Sequence, residues 1–106
     1  MTLDDAAYIV DDAVLIELYK HQFDALVSFC AAIGEHNFRR SRVVALLNKA
    51  DDESILKAAR EIGEYGGAVR RKSKTYRNQR KNEQKLFLKP IPVAIGGKHV
   101  KGSEKF

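Results

Sequence analysis

One stretch restricts what this chain can fold into more than any other: "HQFDALVSFCAAIG", residues 21–34. Between Phe23 and Ile33 only Asp24 and Ser28 are polar, and the apolar positions recur at the three- and four-residue spacing of an α-helix. A helix that is apolar around most of its circumference has to be surrounded by other elements, because one neighbour cannot cover it. Leu15, Leu18, Leu26, Phe29 and Ile33 form one stripe, which Phe23, Val27 and Cys30 broaden. The stretch therefore predicts a central helix over residues 12–33, closed by Gly34, which can take the left-handed backbone of a helix end. Each Leu, Phe or Ile fully buried there contributes about 1.5–3 kcal/mol.

The neighbours read as helices too, since no segment alternates convincingly at period two. Thr2 is placed to cap a short first helix to about residue 11, with Asp4 and Asp5 complementing the dipole of its first turn. A third helix runs from residue 38 or 41 to residue 49 and buries Val43, Val44, Leu46 and Leu47. Asp51 or Asp52 caps a fourth, "ESILKAAREIGEY", through Ile55, Leu56, Ala59 and Ile62, and Gly66 with Gly67 stops it. Ser73 caps a fifth, "KTYRNQRKNEQKLFL", which has to end before Pro90 because the residue ahead of a proline is pushed out of helical geometry. The fold expected is all-α, a compact orthogonal bundle of about five helices. It forms one domain over residues 1–89, with a mobile tail over residues 90–106 in which "VAI" could dock as a short extended segment.

Charge is segregated along the chain. Residues 1–68 hold 7 Lys/Arg against 12 Asp/Glu, whereas residues 69–106 hold 12 against 2, for a net charge of +5. Such a split favours an oppositely charged partner at the basic end. Other chemistries find little support. Cys30 is the one cysteine, so no intramolecular disulfide forms; it sits in the most apolar stretch and fits a reducing compartment. The acidic N-terminus does not read as a signal peptide, and no apolar run approaches the roughly 18 residues needed to span a bilayer. A cytoplasmic location is expected. His21, His36 and His99 are too dispersed for a metal site, "EYGGAV" lacks the Lys-Ser/Thr of a phosphate loop, and neither metal nor cofactor is expected. Most carboxylates sit at helix starts or on polar faces, which leaves Glu35 and His36, adjacent in a loop expected after Gly34, as the one local acid and base combination.

The fifth helix carries the strongest electrostatic feature. At 100° per residue, Lys74, Arg77, Lys81 and Lys85 fall within about 80° of one another, opposite a stripe of Tyr76, Arg80, Glu83 and Phe87. The second stripe should pack, with Arg80 and Glu83 as a helix-spaced ion pair near its edge. The first, extended upstream by Arg70, Arg71 and Lys72, is the candidate binding face; a solvated charged surface is the plainer reading of the same residues. Neither interleaved stacking aromatics nor a helix-turn-helix accompanies it, so nucleic acid is not the favoured partner.

"QFDALVSF" followed by "IG" and "NFRRSRVVALLNKAD", and later "YGG" at 65–67 and "RKNEQKLFL" at 80–88, resemble the C-terminal lobe of phage-type lysozymes, the muramidase endolysins of glycoside hydrolase family 24. Order and spacing agree over roughly residues 22–88. The resemblance implies a helical lobe, and it implies that the catalytic apparatus lies elsewhere. The family's catalytic glutamate belongs to an N-terminal lobe and is followed nine residues later by Asp or Cys. Here Glu17 is followed at that distance by Leu26, Glu35 by Val44, Glu53 by Ile62, Glu61 by Arg70, Glu64 by Ser73 and Glu83 by Pro92. Ala32 stands where the family usually presents Asn or Gln to the sugar cleft, and Ile62 where it often has Trp.

The resemblance, the small size and the polarised charge lead to an expected function without catalysis. The chain reads as a phage-derived binding protein, a monomer in the host cytoplasm, that inhibits a host defence complex in the manner of an anti-CRISPR protein. Its partner would be a protein assembly such as a CRISPR–Cas effector or nuclease. The alternatives are a muramidase fragment or peptidoglycan-binding accessory of a lysis cassette, and a DNA-binding regulator.

Overall fold

The computed structural model describes residues 1–65 and 74–89, together with the backbone of residues 98–99. The chain is all-α. Its helices are α1 (Leu3–Ala13), α2 (Lys20–Ile33), α3 (Glu35–Arg39), α4 (Arg42–Leu47), α5 (Asp52–Glu64) and α6 (Lys74–Phe87). Two extended residues, β1 (Leu18–Tyr19), pair antiparallel with β2 (Lys98–His99), Leu18 opposite His99. That pairing is all the structure describes of the expected tail, and residues 66–73, which include Gly66, Gly67 and Ser73, lie outside the described residues.

α1 begins as its sequence requires. Thr2 Oγ1 accepts a hydrogen bond from the Asp5 amide (3.1 Å), while the Asp5 carboxylate accepts one from the Thr2 amide (3.2 Å). This reciprocal box satisfies two of the amides that a helix start leaves open. The helix does not run on toward the next one, because Val14 turns to extended backbone (φ −93°, ψ 117°). Asn48, on the far side of the molecule in sequence, holds the break from both sides: its Oδ1 accepts from the Leu15 amide (2.7 Å) and its Nδ2 donates to the Ala13 carbonyl (3.0 Å).

The central helix is therefore shorter than expected, starting at Lys20 instead of residue 12. A second side chain fixes that start, as Gln22 Oε1 accepts from the Tyr19 amide (2.9 Å). Leu18 remains in the core, but Leu15, expected on the apolar stripe, is 66% exposed. Once residues 14–19 leave the helical period, the angular relation that put Leu15 beside Leu26 no longer holds.

The remainder of α2 is surrounded as expected. Ala25, Leu26, Phe29, Cys30 and Ile33 are buried, and Phe23, Val27 and Ala31 pack partly buried against the same core. α1, α3 and α6 lie against it. Asp24 stays exposed and pairs with Lys20 one turn earlier (3.1 Å). The helix ends where Gly34 takes a positive φ of 89°, with its amide bonded to the Cys30 carbonyl (2.8 Å).

The third expected helix is two pieces. α3 holds Glu35 and His36, so these residues are helical and not in a loop, and α4 starts at a Ser41 cap. Phe38 anchors the join, fully buried with its ring edge-on to Phe29 at 6.1 Å. α5 starts at Asp51, whose carboxylate accepts from the Ser54 amide (2.6 Å) and hydroxyl (3.0 Å). Those two bonds hold the Asp51 carboxyl below its ordinary value. The buried side of α5 is Ser54, Ala58, Ala59, Ile62 and Gly63; Ile55 is half-buried and Leu56, expected inside, is 62% exposed. Gly63 matters for a close approach, because the amide end of Gln84 from α6 fills the space that a Cβ would occupy.

Candidate functional site

α6 separates its two stripes as the helical period requires. Arg80, Glu83 and Phe87 are buried, each 2% exposed, and Tyr76 is half-buried beside them. Lys74, Arg77, Lys81 and Lys85 are exposed on the same helix. From Lys74 to Lys85 the row spans about 16 Å at 1.5 Å per residue. Arg70, Arg71 and Lys72, the upstream part of the expected face, lie outside the described residues.

The packed stripe centres on an ion pair that is more deeply buried than an edge position. Arg80 Nε and Nη2 donate to the two oxygens of Glu83 at 2.5 and 2.6 Å. The hydroxyl of Ser28, on α2, donates to the same carboxylate, and Gln79 Nε2 donates to that hydroxyl oxygen (3.4 Å). Arg80 also stacks over the Tyr76 ring, 4.7 Å from its centroid. Burial alone would push the guanidinium down. The hydrogen bonds and charge of Glu83, with a smaller contribution from Tyr76, reverse this and hold Arg80 above its ordinary value. A fork-to-fork Arg–carboxylate pair with its remaining capacity used is the arrangement in which a buried charge pair persists. It ties α6 to the polar notch that Ser28 makes in α2, and it is a packing device.

The other chemical candidates are disposed of by their partners. Glu35 accepts from Arg39 Nε (2.9 Å), and Arg39 reaches across to Asp12 (2.7 Å). His36 lies 3.4 Å from Arg40 Nη1. The adjacent acid and base thus each engage an arginine one turn on and do not address one another. Burial, reinforced by Glu35 and offset in part by Arg39, pushes the Cys30 thiol up to about 11, which leaves it a poor nucleophile. His21 stacks on Tyr19 at 5.9 Å and buries its Nε2 without a partner among the described residues. Among those residues no three His, Cys, Asp or Glu side chains are grouped so as to hold a metal ion. No helix among them is long and apolar enough to cross a membrane.

The carboxylates are distributed in the same spirit. Glu83 is the one buried acid among the described residues, and it is fully engaged. Asp5 and Asp51 are caps, while Asp12, Asp24, Glu35, Glu53 and Glu61 take part in ion pairs. Glu17 and Asp52 line a common cleft, a juxtaposition that sequence spacing does not signal, but both are exposed.

Residues 1–83 match the family model described as phage lysozyme. The chain belongs to the phage lysozyme family. The match covers α1 through most of α6, including both partners of the Arg80–Glu83 pair. No curated protein and no solved structure matches the chain. The resemblance carried by Gln22 to Gly34 and by the Arg80–Glu83 segment is thus a family relationship. Within the matched range Leu26, Phe29, Ile33, Arg80 and Glu83 are all buried. Ala32 is exposed at the end of α2, and Ile62 is buried inside α5.

Proposed function

We propose that this chain is a non-catalytic binding protein built on the C-terminal helical lobe of a phage lysozyme. The observation that carries the reading is the state of its carboxylates. Cleavage of a glycosidic bond takes two placed carboxyl groups, one of them held protonated by its surroundings. Among the described residues the buried acid is locked into an ion pair, and the exposed acids cap helices, pair with cations or face solvent. The exposed Ala32 agrees with this, since it offers no polar group where lysozymes present Asn or Gln to the sugar.

The binding element is the exposed row of Lys74, Arg77, Lys81 and Lys85, and its partner is an acidic surface on a host protein complex. Inhibition of a bacterial defence assembly, of the anti-CRISPR kind, is the form of action proposed. It is supported by the segregation of +10 into residues 69–106 against −5 in residues 1–68. Family membership favours a second reading, in which the chain serves peptidoglycan cleavage as a muramidase fragment or a wall-binding accessory. Affinity capture from host lysate with the full chain and with Lys81→Glu/Lys85→Glu separates them. A defined complex retained by the first and lost by the second supports the proposal. Retention on purified peptidoglycan, with no protein partner, supports the second reading.

A further inference from the structure

A cleft of about 620 Å³ opens between the extended residues before α2 and the start of α5. Ile16, Leu18, Ile55 and Leu56 supply its aliphatic walls, and Glu17 and Asp52 contribute a carboxylate from each side. Leu56 is 62% exposed, an aliphatic side chain left in water. Glu17 and Asp52 have no ion-pair partner among the described residues; of the lysines near them in sequence, Lys20 is paired with Asp24 and Lys57 with Glu53, while Lys49, three residues before Asp52, forms no ion pair with either carboxylate. The basic face on α6 has no part in this cleft.

We infer that the cleft receives a segment of a partner protein in which an Arg or Lys side chain adjoins an aliphatic one. The chemistry selects this occupant by elimination. A purely apolar segment would strip water from two carboxylates with nothing to replace it, at a cost of several kcal/mol. An anionic ligand is repelled by the same groups, and a sugar would leave Ile16, Ile55 and Leu56 facing hydroxyls. A cation placed between Glu17 and Asp52 neutralises both, while an aliphatic neighbour covers Leu56. Hydrogen bonds fix the backbone next to both walls: Asn48 accepts from the amide of Leu15, one residue before Ile16, and Asp51 caps α5 one residue before Asp52. The inference goes beyond the proposed function and does not rest on it, since it concerns a surface of opposite charge.

The test uses the full chain labelled with nitrogen-15 and a hexapeptide alternating arginine and leucine. Two control peptides replace arginine by glutamate or leucine by serine. The arginine–leucine peptide is expected to shift the amides of residues 16–19 and 52–56, and the controls are not. Glu17→Gln/Asp52→Asn, whose sites are exposed so that its melting is expected to match the parent, should weaken binding by about tenfold or more, a loss of about 1.4 kcal/mol. Binding unchanged in that variant, equal shifts with either control, or shifts centred on the acids of α1 overturns the inference. Sedimentation at the same concentration is expected to show a monomer; a dimer lost in the double variant would assign the cleft to a second copy and also overturn it.

Discussion

The two faces of α6 are set by different forces. On one, Arg80 and Glu83 are out of water, joined to each other and to Ser28 of α2, and Phe87 fills the space beside them. On the other, Lys74, Lys81 and Lys85 meet solvent within the same fourteen residues. The packed face is specified by the rest of the chain, so its residue identities report the fold. The lysine face takes no part in that packing among the described residues. The proposed function rests on this second face alone.

This contrast can be broken at several points, and the largest effect is expected at its buried end. Glu83→Ala or Arg80→Ala leaves the other charge buried alone and should cost about 3–5 kcal/mol, read from urea unfolding. The pair replacement Arg80→Met/Glu83→Leu should recover most of that loss; failure to recover would mean that the pair contributes more than relief of its own desolvation. Gly34→Ala meets open space but a φ of +89°, so backbone strain alone should cost about 1–3 kcal/mol. Ala50 is the one non-glycine with positive φ among the described residues, at 66°. Ala50→Gly should raise stability by up to about 1 kcal/mol, the relief of Cβ crowding less the added chain entropy. At the exposed end, Lys81→Glu/Lys85→Glu should alter stability by no more than about 0.5 kcal/mol. A larger effect would show that the lysine face is held by the fold after all.

What was legible in the sequence follows the range of the forces involved. The caps at Thr2 and Asp51, the stop at Gly34 and the two stripes of α6 depend on neighbours within a turn or two, and each stands where the spacing puts it. The break at residues 14–19 was not legible, because the group that stabilises it, Asn48, lies 33 and 35 residues from the backbone it holds. Helical periodicity then carried Leu15 onto a stripe it never joins, and for α5 it placed Leu56 inside when the buried side runs through Ser54, Ala58, Ala59 and Ile62. The exposed row of lysines was legible from angle alone. The Glu17–Asp52 cleft was not, since it arises only when the extended segment folds back against the α5 start, and depth for Arg80–Glu83 needed the polar notch that Ser28 provides across 55 residues.

The claim that this member of the phage lysozyme family binds without cleaving is tested most directly by incubating the full chain with purified peptidoglycan and following soluble muropeptides by mass spectrometry. The account predicts no release above buffer at any pH at which the chain is folded. Time-dependent release of products with newly formed reducing ends, diminished by Glu17→Gln or Asp52→Asn, would contradict it and make the exposed cleft carboxylates a working catalytic pair.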